Sequence, residues 1–189
     1  RLDKRIHAIM TEWTSHYRWC KDYIKIPHLD TYLHQAAARK QSFIYYLIDN
    51  KIISSQDIAS CVATYLNCEI NNDLESLPSI DPNALTLCLN NQILILSRYG
   101  KYQCYLCEPL NHRARATIES IYPDITFSVA DYPTLLRHLY DVTSTIIRGH
   151  VESNHSNSES LVSLLLQCLL AEATFDHVSD IHLEAHPEH

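Results

Sequence analysis

The fold of this chain is decided by residues 93–107, which run Ile93-Leu94-Ile95-Leu96-Ser97-Arg98-Tyr99-Gly100-Lys101-Tyr102-Gln103-Cys104-Tyr105-Leu106-Cys107. The apolar run from Ile93 to Leu96 predicts a short strand. Tyr99-Gly100-Lys101 is typical of a turn, and the segment from Tyr102 to Cys107 predicts the returning strand. We therefore expect a small sheet that begins with these two strands.

Downstream of this pair the pattern predicts a helix, a strand and a second helix. Asn111 can cap a helix that runs to about Tyr122, where Pro123 follows. Alternating apolar residues from Ile125 to Val129 predict a third strand. Asp131 can cap the next helix, with Pro133 in its first turn, a position that tolerates proline. The inward face of that helix is formed by Leu135, Leu136 and Leu139. The order β-β-α-β-α predicts a sheet with helices on one face, an α+β layer.

Upstream of the sheet the pattern predicts a helical hairpin over residues 31–67. Thr31 to Asn50 forms the first helix, whose apolar face contains Leu33, Ala36, Ala37, Ile44, Leu47 and Ile48. Ser54 begins the second helix, and Asp57 three residues later makes a carboxylate variant of the capping box. The apolar stripe of that helix contains Ile58, Cys61, Val62, Tyr65 and Leu66. Because the turn between the helices is short, they should pack against each other. The polar segment from Asn71 to Asn83 is interpreted as a connection.

Residues 1–30 form an aromatic leader with a local excess of basic side chains. Ile6, Met10, Trp13 and Tyr17 recur at helical spacing, and Pro27 ends the unit. The aromatic side chains that stand out are Trp13, Tyr17, Trp19 and Tyr23. Because tryptophan and tyrosine are favoured at protein interfaces, these four residues are a candidate docking surface. The alternative is that they cover the helical hairpin of the same chain.

The C-terminal part is interpreted as a linker followed by the beginning of a second domain. The linker covers residues 143–158, and its most polar part extends from His150 to Ser158. Ser156 and Glu159 make a capping box for a helix from about Asn157 to Ala173, and Val178 to Leu183 predicts an edge strand. The predicted domains are therefore the leader (1–30), a module (31–142, with its α/β part at 84–142), the linker (143–158) and a truncated second domain (159–189).

Composition excludes several classes of function. The formal net charge of −7 and the pI near 5.9 argue against a general nucleic-acid binder. The two glycines, Gly100 and Gly149, cannot build a Walker A loop or a dinucleotide fingerprint, so we expect no cofactor and no catalytic residue in this chain. The longest apolar run, Leu161 to Ala173, is shorter than the ~20 residues of a membrane-spanning helix. The chain starts with no secretory signal, and its seven scattered cysteines favour reduced cytosolic thiols.

Two groups of side chains raise the alternative of a metal-binding or redox module. Cys104 and Cys107 form a single C-x-x-C, but a zinc site usually needs a second pair of ligands. In a strand these thiols face opposite sides, roughly 10 Å apart at about 3.3 Å per residue, which is too far for a disulfide. His177, His182, His186 and His189 cluster near the C-terminus, where we expect a flexible tail rather than a metal site.

Three segments of the chain resemble sequence patterns of one known family. The first is Ser179-Asp180-Ile181-His182-Leu183-Glu184. It resembles the signature Ala-Ser-Asp-Ile-His-Ile-Glu-Pro of the ATPases that power type IV pilus assembly and type II secretion, with Val178 and Ala185 departing from it. Upstream, Leu47 to Ser54 is similar to the pattern Leu-Val-x-x-Lys/Gly-Leu-Ile-Ser. Glu108-Pro109-Leu110-Asn111 is similar to the Asp-Pro-x-Asn that opens a helix after two strands. The resemblance covers roughly residues 33–185.

The resemblance implies a non-catalytic docking and regulatory module at the N-terminal end of a hexameric motor. ATP and magnesium would bind in a motor domain outside this chain, and the partner would be the cytoplasmic domain of an inner-membrane platform protein. The implied location is cytoplasmic, peripheral to the bacterial inner membrane. The helical-hairpin pattern favours pilus assembly over secretion. The second domain would continue beyond His189, so we expect poor packing after about residue 150.

Some relatives in this family bind cyclic di-GMP through the same module, and this is an alternative function. Their pattern begins Arg-Leu-Gly and has a second glycine before Leu-Ile. The corresponding positions here are Ser42-Phe43-Ile44 and Lys51, so the arginine and both glycines are absent. Because anion sites need such donors and close backbone approach, the sequence favours docking over nucleotide sensing.

Overall fold

The computed structural model describes residues 11–74, 84–98 and 100–152, together with Leu166 and Leu169. The fold is α+β, as the sequence predicts. Residues 11–16 are helical, and the helices that follow before the sheet are α1 (Cys20–Tyr23), α2 (Leu29–Ala38), α3 (Phe43–Asp49), α4 (Ser55–Leu66) and α5 (Leu85–Asn91). The remaining elements are β1 (Leu94–Arg98), β2 (Lys101–Leu106), α6 (His112–Ile121), β3 (Thr126–Val129) and α7 (Tyr132–Glu152). Contacts divide the chain into a unit Arg1–Leu136 and a unit Arg137–His189.

The three strands form one sheet in the order β1-β2-β3. β1 and β2 are antiparallel, with Leu94 opposite Tyr105 and Arg98 opposite Lys101, so they form the predicted hairpin around Gly100, whose φ is +77°. β3 lies parallel to β2. A parallel partner requires a crossover, and α6 supplies it. β1 is buried on both faces, since residues 93–96 are all buried, which explains why its sequence is continuously apolar rather than alternating.

The sheet also extends beyond β3, through residues directly before and at the start of the predicted connection 71–83. The backbone N–H of Asn71 donates to Val129 O at 2.8 Å, and the N–H of Val129 donates to Glu69 O at 2.8 Å. These bonds make a parallel bridge between Ile70 and Val129. The chain therefore contacts the edge of the sheet just before the polar connection begins. The sequence gives no strand signal there, because asparagine is depleted in strands.

The predicted helix over residues 31–50 is wrong, because two helices occupy this segment. α2 ends at Ala38, Lys40 adopts a left-handed φ of +53°, and α3 begins after Ser42. The Ser42 hydroxyl accepts a hydrogen bond from the Tyr45 N–H at 3.2 Å. This N-cap satisfies a donor that a continuous helix would have paired with a carbonyl, so the chain can restart in a new direction.

Three predicted caps are confirmed, whereas the capping box predicted at Ser156 and Glu159 lies outside the described residues. Ser54 precedes α4, accepts from the Asp57 N–H at 3.1 Å and donates to the Asp57 carboxylate at 2.7 Å. Asn111 precedes α6 and accepts from the Ala114 N–H at 2.8 Å. Asp131 precedes α7 and accepts from the Thr134 N–H at 3.4 Å and from the Thr134 hydroxyl at 2.7 Å. Local side-chain chemistry therefore fixes where these three helices begin.

Four helices end in the same way, without glycine. Lys40, Lys51, Asn67 and Gln92 follow α2 to α5 with φ between 51° and 55°, a region that favours glycine. After each of them the next N–H reaches back to the carbonyl five residues earlier, as when Ile52 N–H donates to Leu47 O at 2.9 Å. This pattern is the Schellman motif. A chain with two glycines thus closes its helices on residues that carry a side chain, and this costs conformational energy.

Helix α7 continues through residues 143–152, where the sequence predicted the first part of a linker. Thr143 and Thr145 lie in this stretch, and their hydroxyls donate to the carbonyls of Leu139 (2.6 Å) and Asp141 (2.9 Å) one turn earlier. Because these polar side chains bond back to the helix, they do not end it. The linker prediction is therefore wrong for residues 143–152. The remainder of the linker and the second domain lie outside the described residues, apart from Leu166 and Leu169, so the poor packing expected after residue 150 stays a prediction.

The left-handed helix ends provide a direct test of the fold. Lys51→Gly should raise the free energy of unfolding by about 0.5–1 kcal/mol, because glycine adopts a positive φ without steric cost. Lys101→Gly is the matched control: this exposed lysine lies in β2, where glycine should lower the same free energy by about 0.5–1 kcal/mol. Urea unfolding measures both, and equal losses in the two variants would contradict the assigned backbone geometry.

Candidate functional site

The most unusual group in the described part of the chain is the carboxylate of Glu108, just beyond the end of β2. The Ser42 hydroxyl donates to its Oε2 at 2.6 Å, and the Tyr17 hydroxyl donates to the same oxygen at 3.4 Å. These partners come from the N-cap of α3 and from the leader. One oxygen atom thus joins three segments that are far apart in the sequence.

Local structure explains why Tyr17 and Ser42 reach this carboxylate. The Ser42 oxygen accepts from the Tyr45 N–H, which leaves its proton for Glu108. Tyr17 is buried, and its ring meets Phe43, the first residue of α3, edge-on at 5.7 Å. Because α3 begins after Ser42, the break between α2 and α3 brings the Ser42 hydroxyl to Glu108 and the Phe43 ring to Tyr17. We name Tyr17, Ser42 and Glu108 the carboxylate cluster.

Burial controls the ionisation of the carboxylate cluster. Removal from water raises the pKa of Glu108, and the hydrogen bonds from Ser42 and Tyr17 oppose this only in part. Burial, followed by the nearby Glu108 charge, raises the pKa of the Tyr17 phenol. Both donors to Glu108 are neutral hydroxyls, and neither supplies a positive charge. The folded protein therefore holds a proton on Glu108 more tightly than the unfolded chain does.

A surface cleft of about 270 Å³ adjoins the carboxylate cluster. It is lined by His16, by residues 89–92 at the end of α5 and by residues 108–111 before α6. Two lining side chains are already engaged, since Gln92 Oε1 accepts from the Tyr132 hydroxyl at 3.3 Å and Asn111 caps α6. Burial lowers the pKa of the His16 imidazole, so it is neutral near pH 7. The cleft is therefore a polar space whose ionisable carboxyl belongs to Glu108.

The aromatic residues of the leader divide into buried and accessible members. Tyr17 and Trp19 are 4% and 6% exposed, so they cover helices of their own chain. Trp19 stacks on Tyr65 with centroids 4.9 Å apart, and Tyr23 meets the same ring edge-on at 5.2 Å. Tyr23 is 37% exposed and Trp13 is partly exposed, which leaves these two of the four candidate docking residues accessible to a partner.

The exposed rings of Tyr23 and Tyr65 form an aromatic patch above Trp19. Tyr65 is 40% exposed, close to the value for Tyr23. Beneath them the indole N–H of Trp19 is buried without a hydrogen-bond partner among the described residues. Burying such a donor costs about 1–3 kcal/mol, so the packing around Trp19 must offset that cost.

The cysteines of the described part are free. Cys104 and Cys107 are both buried, and burial raises the pKa of each thiol well above its usual range. They are therefore protonated and weakly nucleophilic near pH 7. Within residues 11–74, 84–98 and 100–152, no three His, Cys, Asp or Glu side chains come together as a metal site would require. The histidines at 177, 182, 186 and 189 lie outside these residues, as does the segment Ser179, Asp180, Ile181, His182, Leu183 and Glu184.

The carboxylate cluster is not among the sites predicted from the sequence. There Glu108 belongs to a helix-opening pattern, and Ser42 stands at the position of a missing arginine. A serine directly before the apolar run Phe43-Ile44 is a helix-start signal that could have revealed the break. The sequence alone carries no signal for the pairing of Glu108 with Tyr17.

Comparison with known proteins provides no family assignment: the chain matches no protein-family model and no curated protein. In the described residues, no helix is both long and apolar enough to cross a bilayer.

Glu108→Gln should change how stability depends on pH. Because the pKa of Glu108 is raised in the folded state, the wild-type protein should lose stability as pH rises from about 4 towards about 7, whereas the variant lacks this contribution. The two proteins should be similar near pH 4, and the variant should be the more stable one near pH 7. Urea unfolding at several pH values measures the difference. A wild-type protein that gains stability over the variant with rising pH would contradict the account.

Proposed function

We propose that residues 31–142 form a non-catalytic docking and regulatory module of an ATPase that powers type IV pilus assembly or type II secretion. In this proposal the parent protein is a homo-hexamer whose motor domain binds ATP and magnesium. The module contacts the cytoplasmic domain of an inner-membrane platform protein and is thereby held at the cytoplasmic face of that membrane. We assign this docking role to the helices α2 to α5 together with the β1-β2-α6-β3-α7 part that follows them.

The observation that carries the proposal is the position of the two family-like segments in the fold. Leu47 to Ser54 spans the end of α3, the turn and the N-cap of α4. Within it, Lys51 adopts a φ of +55° at the position where the family pattern has lysine or glycine, and that backbone conformation is the one glycine accommodates best. Asn111, the last residue of the second segment, caps α6 directly after the strand pair. The spacing of both segments thus fits the local backbone.

A transmitting module needs internal rigidity, and the carboxylate cluster supplies a link for it. Glu108 binds the leader through Tyr17 and α3 through Ser42, so the leader, the helices and the β2–α6 connection are held together. If a docked partner displaces the leader, the contacts of Tyr17 and Ser42 with Glu108 would displace the end of β2 as well, because packed interiors transmit strain.

The cyclic di-GMP alternative is disfavoured by the same residues. Ser42, at the arginine position of the nucleotide-binding relatives, donates to the Glu108 carboxylate, which would repel a phosphate when ionised. Ile44, at the first glycine position, is fully buried, so its side chain fills the space through which a nucleotide would approach the backbone. Docking therefore remains the better-supported function.

The aromatic patch is the face that we assign to the partner. Its rings are rigid, they are accessible, and aromatic anchors contribute strongly to binding at protein interfaces. We include Trp13 in the proposed face as the second accessible aromatic residue of the leader; it lies in the helical segment 11–16 and contacts Tyr17 with ring centroids 4.7 Å apart. A platform domain bound here would rest on residues that the buried Tyr17 and Trp19 position.

Binding of the 189-residue chain to the platform protein's cytoplasmic domain from the same organism tests the proposal. Tyr23→Ala and Trp13→Ala should each weaken binding about tenfold or more, because they remove exposed aromatic anchors. Ile121→Ala is the matched control: this residue is 54% exposed at the end of α6, outside the patch, and its loss should leave the affinity unchanged. Isothermal titration calorimetry measures all four proteins. No binding by the wild type, or equal loss in all variants, would overturn the proposal.

A further inference from the structure

The carboxylate cluster leaves part of Glu108 available to the cleft. Both hydroxyl donors bind Oε2, and neither uses Oε1. Glu108 itself is one of the residues that line the cleft. We propose that this cleft binds one cationic group, an ammonium or a guanidinium, that pairs with Glu108.

The groups around the cleft favour a cation over an anion. The described lining residues include no lysine or arginine, whereas Asn90 and Asn91 carry amide oxygens. Asn91 Nδ2 donates to Leu87 O at 2.9 Å, which leaves its own oxygen as an acceptor. These residues also form the carbonyl end of α5, where the helix dipole favours positive charge. The N-terminal end of α6, where the helix dipole favours negative charge, also borders the cleft, but the Asn111 side chain already caps it.

Glu108 is the charge that a ligand would meet. The titratable groups that face it are Tyr17 and Cys20 from the leader and α1, and Cys107, its neighbour in the chain. Burial raises the pKa of all three, so each is neutral near pH 7. The His16 imidazole in the cleft is neutral as well, because burial lowers its pKa. A cation in the cleft therefore has no positive competitor among these groups.

The size of the cleft restricts the ligand to a small group. Pockets for drug-sized ligands measure about 300–1,000 Å³, and this cleft of about 270 Å³ lies below that range. One guanidinium or primary amine on a short aliphatic stem suits this space better than a nucleotide does. The group can come from a free small molecule or from an arginine or lysine side chain of another protein.

Binding and proton release should be coupled. A cation stabilises the ionised carboxylate, so it lowers the pKa that burial raises, and the bound state gives up the proton. Affinity should therefore increase as pH rises. Tyr17 and Ser42 keep one oxygen in place in either protonation state, so they act as positioning residues for the carboxyl group.

NMR titration of the 189-residue chain tests the proposal with two probes that each carry one guanidinium. Methylguanidine represents a free small molecule, and a blocked alanine–arginine–alanine tripeptide represents a protein side chain. At least one probe should bind with a Kd of about 1 mM or tighter at about pH 8, with shifts at Asn90 and Asn91, and more weakly at about pH 5. The tighter of the two probes identifies the source of the cation.

Matched variants distinguish the site from general attraction to an acidic protein. Glu108→Gln should weaken binding about tenfold or more, because a charge-assisted hydrogen bond is lost. Glu119→Gln removes a carboxylate on the surface of α6 that pairs with Arg115 at 2.9 Å and should leave the affinity unchanged. Tyr17→Phe removes one donor to Oε2 that lowers the pKa of Glu108, so the pH at which the affinity rises should move upward relative to wild type. Equal binding by wild type and Glu108→Gln, or no shifts with either probe up to about 10 mM, would overturn the proposal.

Discussion

The hydrogen bonds that converge on Oε2 of Glu108 constrain how the leader and α3 meet the end of β2. They join the leader, the N-cap of α3 and the end of β2, which are separated by 66 and 91 residues in the chain. Removing a carboxylate from water is costly, and two neutral hydroxyls do not fully offset the cost, since the pKa of Glu108 remains raised. The protein retains a group that burial disfavours, which is the arrangement expected where a charge serves binding or transmission rather than stability alone.

The scarcity of glycine shapes the rest of the architecture. With two glycines, the chain ends α2 to α5 on Lys40, Lys51, Asn67 and Gln92 in left-handed conformations. Two of these helix ends border the functional regions: Lys40 precedes Ser42, and Gln92 lies in the cleft. The turns that place the carboxylate cluster and the cleft are thus held by backbone hydrogen bonds rather than by flexible glycine loops.

The elements that the sequence predicted are those whose signals are local. Ser54, Asn111 and Asp131 cap their helices as expected, and the hairpin around Gly100 follows from a turn between two apolar runs. The break at Ser42 was missed because helical apolar spacing continues across it in the sequence. The edge contact at Ile70 was missed because it depends on pairing with Val129, which is distant in the chain. The carboxylate cluster could not be predicted either, because nothing near Glu108 in the sequence indicates Tyr17 as its partner.

The Glu108 carboxyl is held in a poorly hydrated site by two neutral donors. Its titration can be followed directly by carbon-13 NMR of the glutamate side-chain carboxyl groups, with Glu108→Gln identifying the resonance. The midpoint should lie above the ordinary value for a glutamate in water, which is about 4.3. A midpoint at or below that value would mean that the hydrogen bonds from Tyr17 and Ser42 outweigh the cost of removing the carboxylate from water, and Glu108 would then not be the destabilised group described above.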